Sequence, residues 1–180
     1  MKLGLFITGG VAASLMPGWL LFLRKVQGWD IEVVVTQTAQ SFVSVAALEA
    51  INGKRVVLDT DWLSTGAAKH KTLSTGLDAI AVCPASFNTC GKLGSGIADG
   101  IVSAAAAFAR CPVIVFPAFS TEDVGGKKTI VLRRMEEMGY RISQATFPAV
   151  EVADDGQKEG QGFPTIDKFI SVIKQEVTVA

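Results

Sequence analysis

The sequence predicts an α/β protein built on a doubly wound, mostly parallel sheet. Short, almost entirely apolar runs alternate along the chain with longer segments of helical periodicity. Runs of this kind are typical of strands that helices cover on both faces, as in parallel sheets. Gly28, Asn52-Gly53 and Gly139 stand where the helical segments should end, as helix-terminating residues do.

The elements follow one another in regular order. Core strands are predicted at Lys2–Thr8, Ile31–Thr36, Leu77–Cys83 and Pro112–Pro117, with shorter strands at Arg55–Leu58 and Arg141–Ser143. Helices are predicted at about Val11–Val26, Ala39–Ile51, Asn88–Ala109 and Lys127–Met138. With no linker or repeat in 180 residues, we expect residues 1–180 to form a single flavodoxin- or Rossmann-like domain.

Two segments fit no regular element in this pattern. Asp59–Ser74 is polar, and Val150–Pro164 is rich in Gly, Asp and Glu. A loop as long as the second, inside a compact domain, is often a functional lid. We therefore expect residues 150–164 to be mobile.

Composition narrows the classes of partner. Seventeen basic and seventeen acidic residues cancel and form no basic run, which argues against nucleic acid. No apolar run approaches the roughly 20 residues that span a bilayer, so the mean hydropathy of +0.37 predicts subunit interfaces in a homo-oligomer rather than membrane contact. Cys83, Cys90 and Cys111 lack metal-ligand spacing, so no metal site is predicted. Without an export signal, we expect free thiols in a reducing cytoplasm.

The most informative stretch, Pro84–Ser103, reads P-A-S-F-N-T-C-G-K-L-G-S-G-I-A-D-G-I-V-S. It follows a buried strand and opens a helix, so Ser86, Asn88 and Thr89 should lie beside unpaired N–H groups. That combination favours a phosphate or another anion. Three glycines that would each weaken a helix interior by about 1 kcal/mol indicate close approach to a backbone or a cofactor ring: Gly94, Gly96 and Gly100.

Comparable residues follow the other core strands. Gly9 and Gly10 end the first strand, and Thr36 and Thr38 end the second. A tight turn explains the glycines as well as a ligand does, and helix capping is the better explanation of each threonine alone. The repetition of these residues at one sheet edge nevertheless favours a ligand. The pattern G-x-G-x-x-G is absent, so an ordinary dinucleotide site is not indicated.

His70 is the only histidine of the chain. From spacing alone, a surface or packing role is a better explanation than catalysis. Its imidazole can nevertheless exchange a proton near neutral pH, and it precedes a predicted strand of the core.

Together these motifs resemble the homo-oligomeric flavin-containing cysteine decarboxylases. That family includes phosphopantothenoylcysteine decarboxylases and the peptidyl-cysteine decarboxylases of lanthipeptide biosynthesis. P-A-S-F-N-T and G-I-A-D-G-I-V-S are similar to the family's P-A-S-A-N-T and G-I-A-D-N-L-L, and T-G-G-V-A-A, V-V-V-T-Q-T-A-Q-S-F and A-L-E-A-I-N-G-K support the match.

The resemblance implies FMN, with FAD also possible, at an interface within a trimer or a dodecamer built from trimers. Residues that match the family's flavin contacts are Gly9, Gly10, Val11, Thr36, Thr38, Ser86, Asn88, Thr89 and Ala118, with Phe42 near the ring. His70 matches the catalytic histidine. The implied chemistry oxidises the Cα–Cβ–S unit to a thioaldehyde, which accepts the electrons left by CO₂, while His70 deprotonates the substrate thiol.

Two departures from the family concern the substrate, which Asn88 and position 120 are expected to contact. The family's P-x-M-N-x-x-M reads P-A-F-S-T-E-D here, so Ser120 replaces the asparagine that holds the substrate carboxylate. The segment 152–163 resembles a glycine-rich substrate clamp but has no cysteine for returning hydride to the product.

The missing cysteine favours oxidative decarboxylation of a cysteine-terminated precursor peptide, leaving an enethiol for aminovinyl-cysteine formation. Two alternatives remain open: a phosphopantothenoylcysteine decarboxylase of coenzyme A biosynthesis, and a non-catalytic flavin-binding regulatory subunit.

Overall fold

Six parallel strands form one sheet in the computed structural model, which describes residues 1–64, 68–119, 123–143, 147–150, 157–160 and 163–179. The strands are β1 (Lys2–Ile7), β2 (Asp30–Val35), β3 (Val57–Leu58), β4 (Ala79–Ala85), β5 (Val113–Pro117) and β6 (Arg141–Ile142). Their order is β3-β2-β1-β4-β5-β6. This is the order of a Rossmann-like sheet, so the predicted fold class is confirmed.

The order of the sheet reverses direction between β1 and β4. From β1 the chain moves outward through β2 to β3, and it then returns to place β4 on the other side of β1. Ligands of open α/β sheets bind at such a switch point, outside the carboxyl ends of the strands.

Helices cover both faces, as the apolar strands predict. They are α1 (Met16–Lys25), α2 (Val45–Asn52), α3 (Asp61–Ser64), α4 (Lys69–Thr75), α5 (Phe87–Gly94), α6 (Ile101–Ala107), α7 (Lys127–Glu137) and α8 (Ile166–Val179). Short 3₁₀ turns occur at Val11–Leu15, Thr38–Ser41 and Val124–Gly126.

Successive side chains of β1 enter two separate cores. Leu5 packs on the side of α1, α2 and α8, and Phe6 packs on the side of α5, α6 and α7. Alternation of side chains between the two faces of a strand explains why the strand sequences are apolar throughout.

The strand predictions are confirmed with ends shifted by two residues or fewer, but the predicted helix at Asn88–Ala109 is wrong. It divides into α5 and α6, because Gly96 adopts a left-handed φ of +67° and Gly100 stands at the start of α6 in an extended conformation. Gly94 lies in α5, where an added Cβ would be 3.2 Å from Arg134 Cβ and from Val131 O. That glycine therefore serves helix packing between α5 and α7.

Other boundaries also differ. Val11–Val26 and Ala39–Ile51 each begin as a 3₁₀ turn before the α-helix, and α8 was not predicted. Asp59–Ser74 is not irregular, since it contains α3 and α4.

The predicted loop at 150–164 is also wrong in part. Phe147–Val150 (β7) and Gln157–Gly160 (β8) pair as antiparallel strands. Residues 151–156 and 161–162 lie outside the described residues, so the mobile substrate clamp stays a prediction. Along the described segments, we find no helix of the length and apolarity that a bilayer crossing requires.

Candidate functional site

A cleft of about 290 Å³ opens at the carboxyl ends of β1, β2, β3 and β4. It lies at the switch point of the sheet, where the sequence places the flavin motifs. Its lining residues are Gly9, Thr36, Thr38, Asp59, Ser86, Asn88, Thr89, Lys92, Asp99, Gly100, Val102 and Ser103. Six of the ten predicted flavin contacts are therefore brought together: Gly9, Thr36, Thr38, Ser86, Asn88 and Thr89.

Thr8 joins the two central strands at the floor of this region. Its hydroxyl donates to Pro84 O at 2.8 Å and accepts from Ser86 N–H at 2.8 Å. The Thr8 N–H also donates to Pro84 O at 3.2 Å. Because Thr8 is 1% exposed, these bonds are shielded from water and hold the β1 and β4 loops in a fixed relation.

Ser86 is the N-cap residue of α5. Its hydroxyl accepts from Thr89 N–H at 3.3 Å and lies 3.0 Å from Thr89 Oγ1. The first N–H groups of a helix have no intrahelical acceptor, so those that do not bond to Ser86 remain available to an anion at this end. Asn88, in the first turn, has an exposed side chain that lines the cleft.

Gly9 is required by the close approach of the β1 and β2 loops. A Cβ at this position would lie 2.5 Å from Thr38 Cγ2 and 2.8 Å from Thr38 Cβ. Thr36 caps locally, since its Oγ1 accepts from Ala39 N–H at 3.4 Å. Close packing thus explains Gly9, and helix capping explains Thr36. Both residues also line the cleft.

Charged groups in the cleft already have partners. Lys92 Nζ lies 3.0 Å from Asp99 Oδ2, and Asp59 Oδ2 accepts from Gln37 N–H at 3.0 Å. The ammonium group of Lys92 offsets the charge of Asp99, and the N–H of Gln37 holds the carboxylate of Asp59 in place. The cleft therefore presents chiefly hydroxyl and N–H groups to a ligand.

The remaining predicted flavin contacts do not line the cleft of the single chain. Gly10 and Val11 follow Gly9, Phe42 follows the Thr38–Ser41 turn, and Ala118 follows β5, where its N–H bonds to Ala85 O at 2.9 Å. Val11 and Phe42 are 55% and 42% exposed. Ser120 lies outside the described residues.

His70 lies in α4 rather than among the lining residues. Trp62 Nε1 donates a hydrogen bond of 3.1 Å to His70 Nδ1, and the two rings stand nearly perpendicular at 87°. α4 packs against α6, whose Val102 and Ser103 line the cleft.

Phe87 and Phe119 form an edge-to-face pair beside the cleft, with ring centroids 5.3 Å apart. These two residues stand where the family motifs quoted above have alanine and methionine. The two substituted positions are therefore in contact, and their rings together form an aromatic surface beside the cleft.

Sequence reasoning missed several lining or supporting residues: Thr8, Asp59, Lys92, Asp99, Val102 and Ser103. Thr8 ends the first predicted strand and opens the motif T-G-G-V-A-A, and a hydroxyl that ends an apolar run next to Gly9 is itself a signal. Asp59 had no motif around it, and it reaches the cleft only because β3 ends at Leu58.

Comparison with known proteins agrees with this architecture. The family model described as Flavoprotein matches residues 1–178. The chain belongs to the Flavoprotein family. The match extends over both the cleft and α8, so the family assignment applies to nearly the whole sequence.

Two curated relatives illustrate the sequence similarity. The coenzyme A biosynthesis bifunctional protein CoaBC of Mycobacterium tuberculosis is 34% identical over 116 residues, covering 64% of this chain and 27% of the relative. CoaBC of Escherichia coli is 30% identical over 125 residues, covering 67% and 30%. The chain spans less than a third of the length of these proteins.

Two solved structures match this chain over most of both chains' lengths. The FMN-dependent cysteine decarboxylase TvaF from thioviridamide biosynthesis is 28% identical with a TM-score of 0.75, covering 80% of this chain and 90% of that one. The FMN-dependent cysteine decarboxylase SpaF is 26% identical with a TM-score of 0.77, covering 99% and 95%. A PPC decarboxylase mutant in complex with pantothenoylaminoethenethiol, at 21% identity and a TM-score of 0.78, shares the fold.

The residues present fit a flavin mononucleotide. The start of α5 and the hydroxyls of Thr38, Ser86 and Thr89 supply donors for a phosphate at the strand ends. A Cβ added at Gly10 would meet nothing within 4 Å, so the backbone there is open to a ligand. The predictions of a flavin cofactor and of decarboxylase chemistry agree with TvaF and SpaF.

Proposed function

We propose that this protein is an FMN-dependent cysteine decarboxylase that converts the C-terminal cysteine of a precursor peptide into an enethiol. The observation that supports this most strongly is the hydroxyl-lined cleft at the β1/β4 switch point of a Flavoprotein-family fold. The two FMN-dependent cysteine decarboxylases above match this chain over 90% and 95% of their lengths.

Different groups of the chain would bind different portions of FMN. Ser86, Thr89 and the first N–H groups of α5 would receive the phosphate, and Thr36 and Thr38 offer hydroxyls nearby. The exposed backbone at Gly10 and the side chains of Val11, Phe42 and Ala118 would contact the remainder. A bound flavin supplies a two-electron oxidation of the Cα–Cβ–S unit of cysteine.

The overall reaction balances without another co-reactant in the first turnover. A peptidyl cysteine carboxylate, one proton and oxidised FMN give the peptidyl enethiol, CO₂ and reduced FMN. The Cα–carboxyl bond breaks, and the carboxylate substrate loses CO₂ and one hydride (two electrons and one hydrogen), while the added proton completes reduced FMN. Counted from the neutral acid, the peptide loses CO₂ and two hydrogens. Further turnover requires an external electron acceptor, such as dioxygen, because residues 150–164 contain no cysteine to mediate hydride return to the product.

Substrate binding would fall to Asn88, whose exposed amide can donate to a carboxylate. Ser120 remains the second proposed substrate contact. We predict a homo-oligomer, either a trimer or a dodecamer of trimers. Exposed apolar side chains in the segments that follow β1, β2 and β4 support this prediction. Val11, Leu15, Phe42 and Phe87 are 55%, 50%, 42% and 41% exposed in the single chain.

A second candidate is phosphopantothenoylcysteine decarboxylase, which the CoaBC relatives favour. Its product is saturated, so the flavin must return the hydride that it receives. A regulatory flavin-binding subunit is the third possibility and predicts no turnover.

One experiment separates these functions. The FMN-loaded protein is incubated anaerobically with a peptide ending in cysteine, with the same peptide ending in serine, and with phosphopantothenoylcysteine. We expect the cysteine peptide alone to lose one CO₂ plus two hydrogens, with an equal amount of flavin bleached. Loss of CO₂ alone from phosphopantothenoylcysteine, without net bleaching, would establish the second candidate. No mass change across a panel of cysteine-terminated peptides would overturn the proposal.

A further inference from the structure

The Trp62–His70 contact defines which ring nitrogen of His70 bears a proton. The indole Nε1–H is only a donor, so His70 Nδ1, at 3.1 Å, must accept with its lone pair. In the neutral imidazole the proton then resides on Nε2. Among the residues whose side chains the structure describes, none forms a second hydrogen bond to this ring.

Trp62 is held independently of His70. Its ring packs against the core on the α5–α7 side of the sheet, and its backbone N–H donates to Asp59 O at 3.3 Å. Asp61, the preceding residue, accepts from Leu58 N–H at 3.0 Å through its side chain. The indole is therefore anchored to the carboxyl end of β3, and Asp59 of the same turn lines the cleft.

We propose that Trp62 is a positioning residue that fixes neutral His70 as the Nε2–H tautomer, so that His70 offers a donor to the substrate. This deepens the proposed function and, for its catalytic consequence, rests on it. His70 would donate from Nε2 to the thiolate or carboxylate of a terminal cysteine. The thiol proton would leave to solvent, since free cysteine has a pKa of about 8.5 and is partly ionised near neutral pH.

This role differs from the one that the resemblance implies. A base that removes the thiol proton needs an unprotonated, accessible nitrogen. Here Nδ1 is occupied by Trp62, and Nε2 already bears the proton. A purely structural contact that ties α3 to α4 would use the same bond but would not alter catalysis, so the two explanations are separable.

Because His70 is the only histidine, its ring nitrogens can be observed without assignment ambiguity. The protein labelled with ¹⁵N-histidine is measured by long-range ¹H–¹⁵N correlation well above the ordinary histidine pKa of about 6.5. We expect the Nε2–H tautomer in the unmodified protein. The Nδ1–H tautomer, or an even mixture, would overturn the proposal without the need for any variant.

Trp62→Phe keeps an aromatic ring but removes the donor, and we expect it to produce a mixture of tautomers. Trp19→Phe is the matched control, because Trp19 packs on Phe163 and Phe169 in the core on the other side of the sheet. That variant should keep the single tautomer. An unchanged tautomer in Trp62→Phe contradicts the proposal.

The catalytic consequence is measured on a cysteine-terminated peptide. We expect Trp62→Phe to lower kcat about tenfold at unchanged KM and flavin absorbance, a fraction of the roughly 10²–10⁴-fold that a positioned proton donor contributes. Unchanged kcat with an altered tautomer would overturn the positioning role. If the unmodified protein decarboxylates no peptide, the proposed function fails, while the nitrogen spectrum still decides the tautomer.

Discussion

The backbone N–H of Ser86 donates a 2.8 Å hydrogen bond to the hydroxyl of Thr8, a residue 78 positions earlier in the chain. The same hydroxyl donates to Pro84 O, so one buried side chain joins the loops after β1 and β4. The phosphate-binding geometry proposed for this cleft therefore depends on a residue that does not line it.

Replacing Thr8 by valine should destabilise the protein by about 1–3 kcal/mol, because the nearly isosteric side chain leaves the part-buried Ser86 N–H without its acceptor. Urea unfolding measures this change, and FMN titration should show weaker binding. Thr8→Ser keeps the hydroxyl and should retain FMN affinity. A valine variant as stable as the parent would contradict the bridging role.

Capping and ligand binding can be separated with two serines. Ser86 caps α5 inside the cleft, and Ser44 caps α2 through a 3.2 Å bond from Ala47 N–H outside it. Each serine-to-alanine change should cost about 1 kcal/mol of unfolding free energy. We expect only Ser86→Ala to raise the Kd for FMN. Equal effects of both variants on the Kd would mean that Ser86 acts through stability alone.

The adjacent glycines should behave differently on substitution by alanine. At Gly9 the new Cβ would lie 2.5 Å from Thr38 Cγ2, whereas at Gly10 it would meet nothing within 4 Å. Gly10 has an extended φ of 170°, which any residue adopts. We expect Gly9→Ala to lower the melting temperature of the flavin-free protein and Gly10→Ala to leave it unchanged.

The flavin-loaded proteins give the complementary result. Both alanine variants should bind FMN more weakly, Gly9→Ala through a displaced Thr38 and Gly10→Ala through its own methyl group. Full FMN affinity in Gly10→Ala would remove Gly10 from the predicted contacts.

The raised pKa values of the buried cysteines predict that the protein becomes less stable at alkaline pH. Burial raises the pKa of the Cys90 thiol from 9.0 to about 12 and raises the pKa of Cys83 well above 9.0. Unfolding exposes both thiols, so the unfolded chain loses these protons at lower pH than the folded one. The contribution of these two thiols to the free energy of unfolding is therefore complete below pH 9. It declines as the pH rises from 9 towards 12.

Urea midpoints measured between pH 8 and pH 11 test that decline, with Cys90→Ala as the variant that should show a shallower fall. Alkylation of the folded protein gives an independent readout. Half-buried Cys111 should react before Cys83 and Cys90. A pH-independent midpoint over this range would refute the linkage.

The sequence anticipated the sheet more completely than the helices. Apolar runs such as Ala79–Ala85 identify buried strands directly, because helices on both faces make every side chain a core position. α5 and α6 were merged because the left-handed Gly96 ends a helix only through its backbone dihedrals, which composition does not reveal. α4 was missed because its sequence, K-H-K-T-L-S-T, buries only Leu73 and Ser74 and so shows little periodicity.

The candidate site was anticipated where a motif follows a strand directly. Ser86, Asn88 and Thr89 are contiguous with β4, and Gly9 follows β1, so their meeting follows from parallel strand order alone. Lys92, Asp99 and Ser103 also line the cleft, because the chain turns back between α5 and α6. A single continuous helix would have carried Asp99 and Ser103 away from the cleft. The tautomer proposed for His70 depends on the orientation of an indole eight residues earlier, which periodicity does not encode.

The insertion of β4 beside β1 also determines when the cleft can exist during folding. β1, α1 and β2 are contiguous in sequence, yet the wall formed by Ser86 and Thr89 is missing until the chain past residue 90 has joined them. Closing so long an intervening segment costs entropy before any strand pairing compensates for it. The return of bound-flavin absorbance on refolding therefore reports long-range strand insertion, and it should lag behind the recovery of helical circular dichroism.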